Sequence, residues 1–230
     1  MKNLQLSDQL SEREAAGAKD VTRRIITKVG PDFGRARLNG WDGKIATFGD
    51  SIPDDPVPIK VRARYLEGDV VYLGESLVKR DGLEKRDDFR VAKYRRDLGP
   101  VLADDGFAVV WRWQVKTLPA RYCPAVHARR FGRIVSVRPE QLTELDAAEA
   151  RREGFPLPGI QPAKLTVTDA GKSTTSDAQI MFVCPLVAMV AYWRGLHGSK
   201  WDPQTWVWRI EWKSITRAEA FEAEAERLAG

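Results

Sequence analysis

The chain has 230 residues, 43% of them hydrophobic and 30% charged, with a formal net charge of +5 and two cysteines, Cys123 and Cys184. A globular chain of this size buries enough surface to fold without a disulfide or a structural metal. No apolar run is long enough to cross a bilayer, and Met1-Lys2-Asn3-Leu4-Gln5-Leu6-Ser7-Asp8 turns acidic before a signal-peptide core forms. A cytoplasmic protein with both thiols reduced is expected.

The charge is unevenly placed. Residues 1–140 carry 27 Lys and Arg against 20 Asp and Glu (27 − 20 = +7), and residues 141–230 carry 10 against 12 (10 − 12 = −2). A basic half suits an anionic ligand such as RNA or a nucleotide, and the plain alternative is a solvated surface.

In chain order, residues 7–16 predict a short helix stopped by Gly17, with Ser7 or Ser11 as its cap and a capping box in Ser11-Glu12-Arg13-Glu14. The β-branched run from Val21 to Ile26 predicts a strand. Residues 30–58 are rich in Gly, Pro and Asp and read as a long loop. Ile59 to Tyr65 alternates apolar and polar, a half-buried strand, and Glu67-Gly68-Asp69 turns the chain into a second one, Val70 to Leu73, expected beside it. Residues 79–105 are heavily charged and predict an exposed insertion.

Phe107 to Lys116 predicts a strand with Val109, Trp111, Trp113 and Val115 on one face, and Phe131 to Arg138 another, ending at Pro139. Asp146-Ala147-Ala148-Glu149 opens a helix that stops at Gly154. Residues 156–180 read as a further loop insertion. Pro185 suits the first position of a helix to about His197. Thr205 to Trp212 alternates again and is expected to close the sheet, and Thr216-Arg217-Ala218-Glu219 opens a last helix. Strands of mixed length with irregularly spaced helices argue an α+β fold, a single domain over residues 1–230 built as a small β-barrel with insertions near 30–58, 79–105 and 156–180.

Several chemical signals fall away. Gly171-Lys172-Ser173 lacks the glycine a phosphate-binding loop needs five residues before its Gly-Lys pair, where Thr166 stands. His127 and His197 are far apart and no paired-cysteine motif exists, so neither a metal nor a cofactor is expected. Cys123 near His127 reads as a small core residue beside a surface histidine rather than a thiol–imidazole pair. Trp206, Trp208 and Trp212 share one face of the last strand, where core packing is favoured over base stacking.

The informative cluster is Gly17-Ala18-Lys19-Asp20-Val21-Thr22-Arg23-Arg24. A helix-ending glycine precedes an ammonium and a hydroxyl three residues apart. Taken alone this pattern is common and fits a solvated turn. Gly17, Lys19, Thr22 and Arg24, however, resemble position by position the Gly-x-Lys-x-x-Thr-x-Arg hallmark of the ASCH family, a branch of the PUA-like β-barrels. Tyr65 to Tyr72 is similar to that family's Gly-Asp strand entry, Leu73-Gly74-Glu75-Ser76 to the Arg-Glu-Thr/Ser segment of its larger, phage-associated members, and Leu118 to Ala125 continues in the same way. Leu142 to Phe155 resembles its Glu-Gly-ending helix, and Trp201-Asp202-Pro203 with Trp206-Val207-Trp208 its final Trp-rich strand.

The resemblance implies a basic cleft for a nucleoside or RNA, and several activities are found on this fold. Some ASCH proteins are taken to be RNA-binding modules, one group is described as ribonucleases, and one small bacterial group hydrolyses N4-acetylcytidine. The working lysine, threonine and glutamate of that last group fall on Lys19, Thr22 and Glu153. The activity this implies is that of an amidohydrolase removing acyl groups from the exocyclic amine of N4-acylated cytosine or cytidine, a metal-independent hydrolase of C–N bonds. Thr22 would be the nucleophile, Lys19 the base once burial and Arg23 and Arg24 lower its pKa, and Glu153 the acid/base. Gly17, Arg23, Arg24 and Glu75 would contact substrate, with Glu75 a second carboxylate able to stand in for Glu153 or to assist it. The alternative is an RNA-binding module or ribonuclease with an open basic groove. This chain is about twice the length of the small amidohydrolases, and its insertions would reshape the cleft. The expected partner is a modified nucleoside or nucleobase, or RNA, and not a membrane.

Overall fold

The computed structural model describes residues 1–5, 14, 17, 19–27, 29, 36–49, 58–81, 90–155, 159–169, 172–182, 184–198, 202 and 204–229. Its strands are β1 (Lys2–Asn3), β2 (Val21–Ile25), β3 (Arg37–Trp41), β4 (Ile45–Gly49), β5 (Ile59–Arg62), β6 (Val70–Tyr72), β7 (Leu77–Asp81), β8 (Arg90–Tyr94), β9 (Thr117–Leu118), β10 (Phe131–Gln141), β11 (Gly159–Asp169), β12 (Lys172–Phe182) and β13 (Trp206–Ile215). The helices are α1 (Ala147–Arg152), α2 (Pro185–His197) and α3 (Arg217–Ala229).

The main sheet runs β1-β6-β10-β13-β2, antiparallel except for the β1–β6 pair. Flat, five strands would hold their edges about 19 Å apart. Here Arg24, on edge strand β2, donates to the carbonyl of Gln5, just past the opposite edge strand β1. The sheet is therefore curled into a half-barrel. The period-2 alternation of β13 turns Trp206, Trp208, Ile210 and Trp212 into the hollow, where they join Leu4, Val71, Ile134 and Val137. The three-stranded sheet β3-β4-β5 closes that hollow with Ala46, Phe48 and Val61. Trp41 meets Trp208 and Phe48 meets Trp206, each at 5.2 Å between ring centroids, and Trp206 Nε1 donates to the Ala36 carbonyl.

The convex side of the curl is covered by α1 and α2, whose Ala150, Met189 and Trp193, with Leu145 and Phe155 flanking α1, enclose Val207. Asp146 caps α1 by accepting from the Glu149 N–H, and Cys184 caps α2 ahead of Pro185. Thr216 and Glu219 form a reciprocal cap at the start of α3, which rests Ala220 and Phe221 on Phe131. The third sheet, β8-β7-β9, has its own core around Leu77, Tyr94, Trp111 and Cys123.

Local chemistry marks the strand at Val21, the cap at Asp146, the helix over Pro185–His197 and the cap at Thr216. Several expectations are corrected. Within residues 30–58, β3 and β4 form a hairpin: Gly43 takes a positive φ of 87°, and the Asp42 carboxylate accepts from the N–H groups of Lys44 and Ile45. The Gly and Asp content is that of a tight turn rather than of a loop. Within residues 79–105, β8 pairs with β7 because Ala92 and Tyr94 alternate inward between the charges. Phe107 to Lys116 is not a strand. It makes isolated bridges, Val91 to Val110 and Leu102 to Ala108, and leaves Phe107 75% exposed. In the stretch expected as a loop insertion, β11 and β12 pair antiparallel over their full length, their Ser and Thr content being compatible with strands.

The runs ending in Tyr65 and beginning at Val70 do not pair: β5 lies on β4, and β6 lies between β1 and β10. β13 is flanked on both sides, and β2, not β13, is the edge. β10 continues through Pro139, since β6 pairs only as far as Arg133 and this stretch has a neighbour on one side. The helix expected at residues 7–16 lies outside the described residues apart from Glu14. Among the described residues no helix is long and apolar enough to cross a membrane, and both cysteines are free thiols.

Candidate functional site

The first turn of chain beyond Gly17, which takes a φ of +70°, runs into β2 and is stitched on both sides. Asp20 N–H donates to the Arg152 carbonyl at the end of α1, and the Asp20 carbonyl accepts from Trp212 N–H on β13. Lys19 is thereby held against the carbonyl end of α1, an environment that favours a cation. Helix α1 ends at Glu153, and Gly154 turns the chain away with a φ of +89°. Both the side chain and the backbone carbonyl of Glu153 face Lys19.

The Lys19 side chain has no exposed surface. Its Nζ donates to Glu153 Oε2 at 2.6 Å, the Glu153 carbonyl at 3.0 Å and the Val21 carbonyl at 2.5 Å. An ammonium has three hydrogens, and these three acceptors use them all. The Trp212 ring lies 5.9 Å from Nζ. Burial pulls the Lys19 pKa below its ordinary 10.5; Glu153 opposes the shift, and Arg24 and Arg23 add to it.

Arg23 is almost as fully enclosed. Its Nε donates to Glu140 Oε1 (2.5 Å), Nη1 to Glu153 Oε1 (3.1 Å) and Nη2 to Glu149 Oε2 (2.8 Å). Burial works against its charge, but Glu153 and Glu140 outweigh burial and the guanidinium pKa is raised. The network extends outward. Arg209 grips both oxygens of Glu149 and one of Glu211, and Arg152 bridges Asp20 and Glu211. With Arg138 on Glu140, five cations (Lys19, Arg23, Arg138, Arg152, Arg209) face five carboxylates (Asp20, Glu140, Glu149, Glu153, Glu211). Such a cluster stands only because every charge has a partner.

The expected site residues therefore separate into three groups. Lys19, Glu153 and Arg23 meet. Thr22 is buried on β2, but its cross-strand partner is Ile210, on the core side, whereas Arg23 pairs with Arg209 on the side that α1 covers. Its hydroxyl is not among the three acceptors of Lys19. Arg24 follows Thr22 on the core side and spends a donor on Gln5. Glu75 belongs to a different centre, where Arg129 binds both its oxygens (2.8 and 2.9 Å), with Arg130 at 3.2 Å and Arg96 at 3.6 Å. Burial would raise its pKa, and the arginines, Arg129 foremost, outweigh burial and hold it low. Arg130 also reaches Glu14, whose pKa burial raises. Cys123 is sealed in the third sheet's core, and burial pushes its pKa up to about 11. The buried His127 faces Arg112, at 3.5 Å.

The chain was compared with protein-family models, with curated proteins and with solved structures, and none matches it.

Glu140, Glu149 and Arg209 were missed from the sequence. Glu140 and Arg209 stand on alternating strands, where charges opposite the tryptophans read as the solvent face until α1 docks there, and Glu149, on α1 itself, reads as the third helical residue of a capping box. A groove of about 270 Å³, lined by Leu142, Leu145, Leu186, Met189 and Trp193, holds none of the network's side chains in its lining.

Proposed function

We propose that the chain is an ASCH-type, PUA-like barrel enzyme that hydrolyses the amide on the exocyclic N4 amine of an acylated cytosine or cytidine. The observation that carries the reading is the 2.6 Å contact between Lys19 Nζ and Glu153 Oε2, which joins the two residues that the family resemblance assigns to proton transfer from 134 positions apart. A binding module has no need of a lysine whose charge is opposed by complete burial.

The proton inventory closes on these side chains. Transfer of a proton along the Lys19–Glu153 contact leaves a neutral amine and a carboxylic acid, and the burial that lowers the Lys19 pKa eases release of the proton from the amine. The Thr22 hydroxyl attacks the acyl carbonyl and gives its proton to Lys19. Glu153 protonates the departing N4 amine, and cytosine or cytidine leaves with the acyl group held as a Thr22 ester. Water then attacks that ester, losing a proton to Glu153, while Lys19 returns one to Thr22. In this scheme Arg23 is a positioning residue, since its donors are taken by three carboxylates, and Glu153 rather than Glu75 is the working carboxyl. The hydroxyl and amine must approach when substrate binds, as catalytic hydrogen bonds often tighten only in the complex.

The test is a panel of N4-acyl cytosines and cytidines followed by ultraviolet absorbance. Wild-type protein should turn over at least one, and Thr22→Ala and Glu153→Gln, checked for native circular dichroism, should not. Full activity in a folded Thr22→Ala protein rules the scheme out.

A further inference from the structure

Helix α2 is built differently from its neighbours. On α3, Glu219, Glu222, Glu226 and Arg227 face water, as a surface helix requires. Over Pro185–His197, α2 has one residue of fixed charge, Arg194. A helix apolar all round is normally covered on every side. Here one side alone is covered: Ala188, Met189 and Trp193 pack into the core beside Val207. On the outside Val187 is 47% exposed and Leu196 57% exposed, and Ala191 and Gly195 are exposed between them. Strand β12 touches α2 and leaves that face open.

The open face has a shape and a polarity. Val187, Ala191 and Gly195 recur every four residues and form one ridge. The last two are small, so the backbone of a second helix can come close. Along one flank runs the groove of about 270 Å³, lined by Leu186 and Val190 of α2 and, on its other wall, by Thr143 and Leu145. Glu144 stands exposed between those last two residues, and Arg194 is exposed in the last turn of α2. The face therefore combines an apolar ridge, a guanidinium towards one end of the helix and a carboxylate across the groove.

We infer that the open face of α2 is a self-association surface, an isologous contact between two copies of this chain. Turned about a two-fold axis at Ala191, the face meets itself and ridge lies on ridge. The helices then run antiparallel, so their dipoles attract. Arg194, about one turn past the axis, comes over the Leu186–Val190 flank of the other copy, where Glu144 of that copy stands. A single helix pair falls short of the ~800 Å² a side of a standard interface. The dimer is therefore dissociable, forming at roughly micromolar concentration. A membrane is the poorer occupant, because helices that lie in the bilayer interface carry Lys and Arg in number beside the apolar face.

The experiment is sedimentation velocity of the full chain from about 1 to 100 μM, spanning the expected dissociation constant. Wild type should pass from monomer to dimer over that range. Ala191→Glu sets two like charges face to face across the axis at an exposed position and should weaken association at least tenfold, with folding checked by circular dichroism. Arg194→Glu should also weaken it, and Arg194→Glu/Glu144→Arg should restore it, since the exchange rebuilds the pair with its polarity reversed. A wild-type chain that stays monomeric throughout would overturn the inference, whether or not phosphatidylserine vesicles capture it. So would an Ala191→Glu protein that associates as wild type does, a double variant no better than Arg194→Glu alone, or assembly beyond the dimer, which a closed two-fold contact forbids. None of these readouts requires turnover, so the result is independent of whether the chain deacylates cytidines.

Discussion

Arg23 holds the carboxylate oxygen of Glu153 that Lys19 leaves open: Nη1 to Oε1 at 3.1 Å, with Lys19 Nζ on Oε2 at 2.6 Å. Glu140 and Glu149 fix the other two edges of the same guanidinium. The carboxyl group is therefore clamped between a cation that never deprotonates and one whose burial disfavours its charge. In the proposed scheme Arg23 would bias movement of a proton between Lys19 and Glu153 without touching the substrate.

Replacing Arg23 with Gln should therefore move a pH profile rather than only reduce a rate. Arg23 is one of the charges that lower the Lys19 pKa. Without it the ammonium is easier to keep, and the alkaline limb, on which activity falls as Lys19 loses to solvent the proton it would pass to Glu153, shifts to higher pH. Steady-state rates on an N4-acylcytidine across the alkaline range check this, with Arg23→Lys restoring part of the shift. A profile that falls uniformly, with no displacement of its limb, would mean that Arg23 acts on the fold alone.

Lys19→Met should cost about 3 kcal/mol of stability, because it leaves Glu153 buried with one partner fewer. Lys19→Met/Glu153→Leu should recover much of that loss, since an apolar pair carries no desolvation penalty. Urea unfolding followed by tryptophan fluorescence measures both. A double variant no more stable than the single one would show that Glu153 is held by something other than this charge pair.

Much of the main sheet and little of the candidate site was legible in the residues. The alternation of Trp206, Trp208 and Trp212 announces a half-buried strand, and Asp146 and Pro185 mark helix starts because caps are local chemistry. The pairing of β2 with β13 across nearly two hundred positions is not local, and neither is the curl that brings Arg24 to Gln5. The burial of Glu140 and Arg209 was hidden for the same reason: their strands look solvent-facing on that side until α1 and α2 cover it. Lys19 and Glu153 were reached only through the family resemblance, since nothing in the spacing of either residue points to the other.

Acid should loosen this network before it reaches the apolar core. Hydrogen bonds from Arg209, reinforced by Arg23, hold the Glu149 carboxyl down at about 2, against an ordinary 4.5. A carboxyl depressed in the folded state contributes stability that is complete above the unfolded value and disappears as pH falls through the folded one. The melting temperature should therefore fall between about pH 4.5 and pH 2. Glu149→Gln should be less stable at neutral pH and fall less steeply through that window. Parallel slopes for the two proteins would place the acid sensitivity elsewhere.

Gly132 on β10 offers a test of how tightly the hollow is filled. It is the diagonal neighbour of Trp212, since Gly132 pairs with Ser214 and Ile134 with Trp212. A Cβ at Gly132 would stand 2.8 Å from Trp212 Cδ1 and 3.2 Å from Cγ. The indole is 2% exposed and rigid, so it cannot swing clear as a long flexible chain could. Gly132→Ala should therefore cost about 1 to 3 kcal/mol, the range for overpacking a filled core. The same ring lies 5.9 Å from Lys19 Nζ, so its displacement also disturbs the ammonium. Trp212→Leu replaces the flat ring that crowds this space with a smaller chain able to turn aside. In that background Gly132→Ala should be milder, and the coupling between the two changes is the quantity to measure by urea titration. Additive losses would mean that the glycine is needed for its backbone and not for the room it leaves the indole.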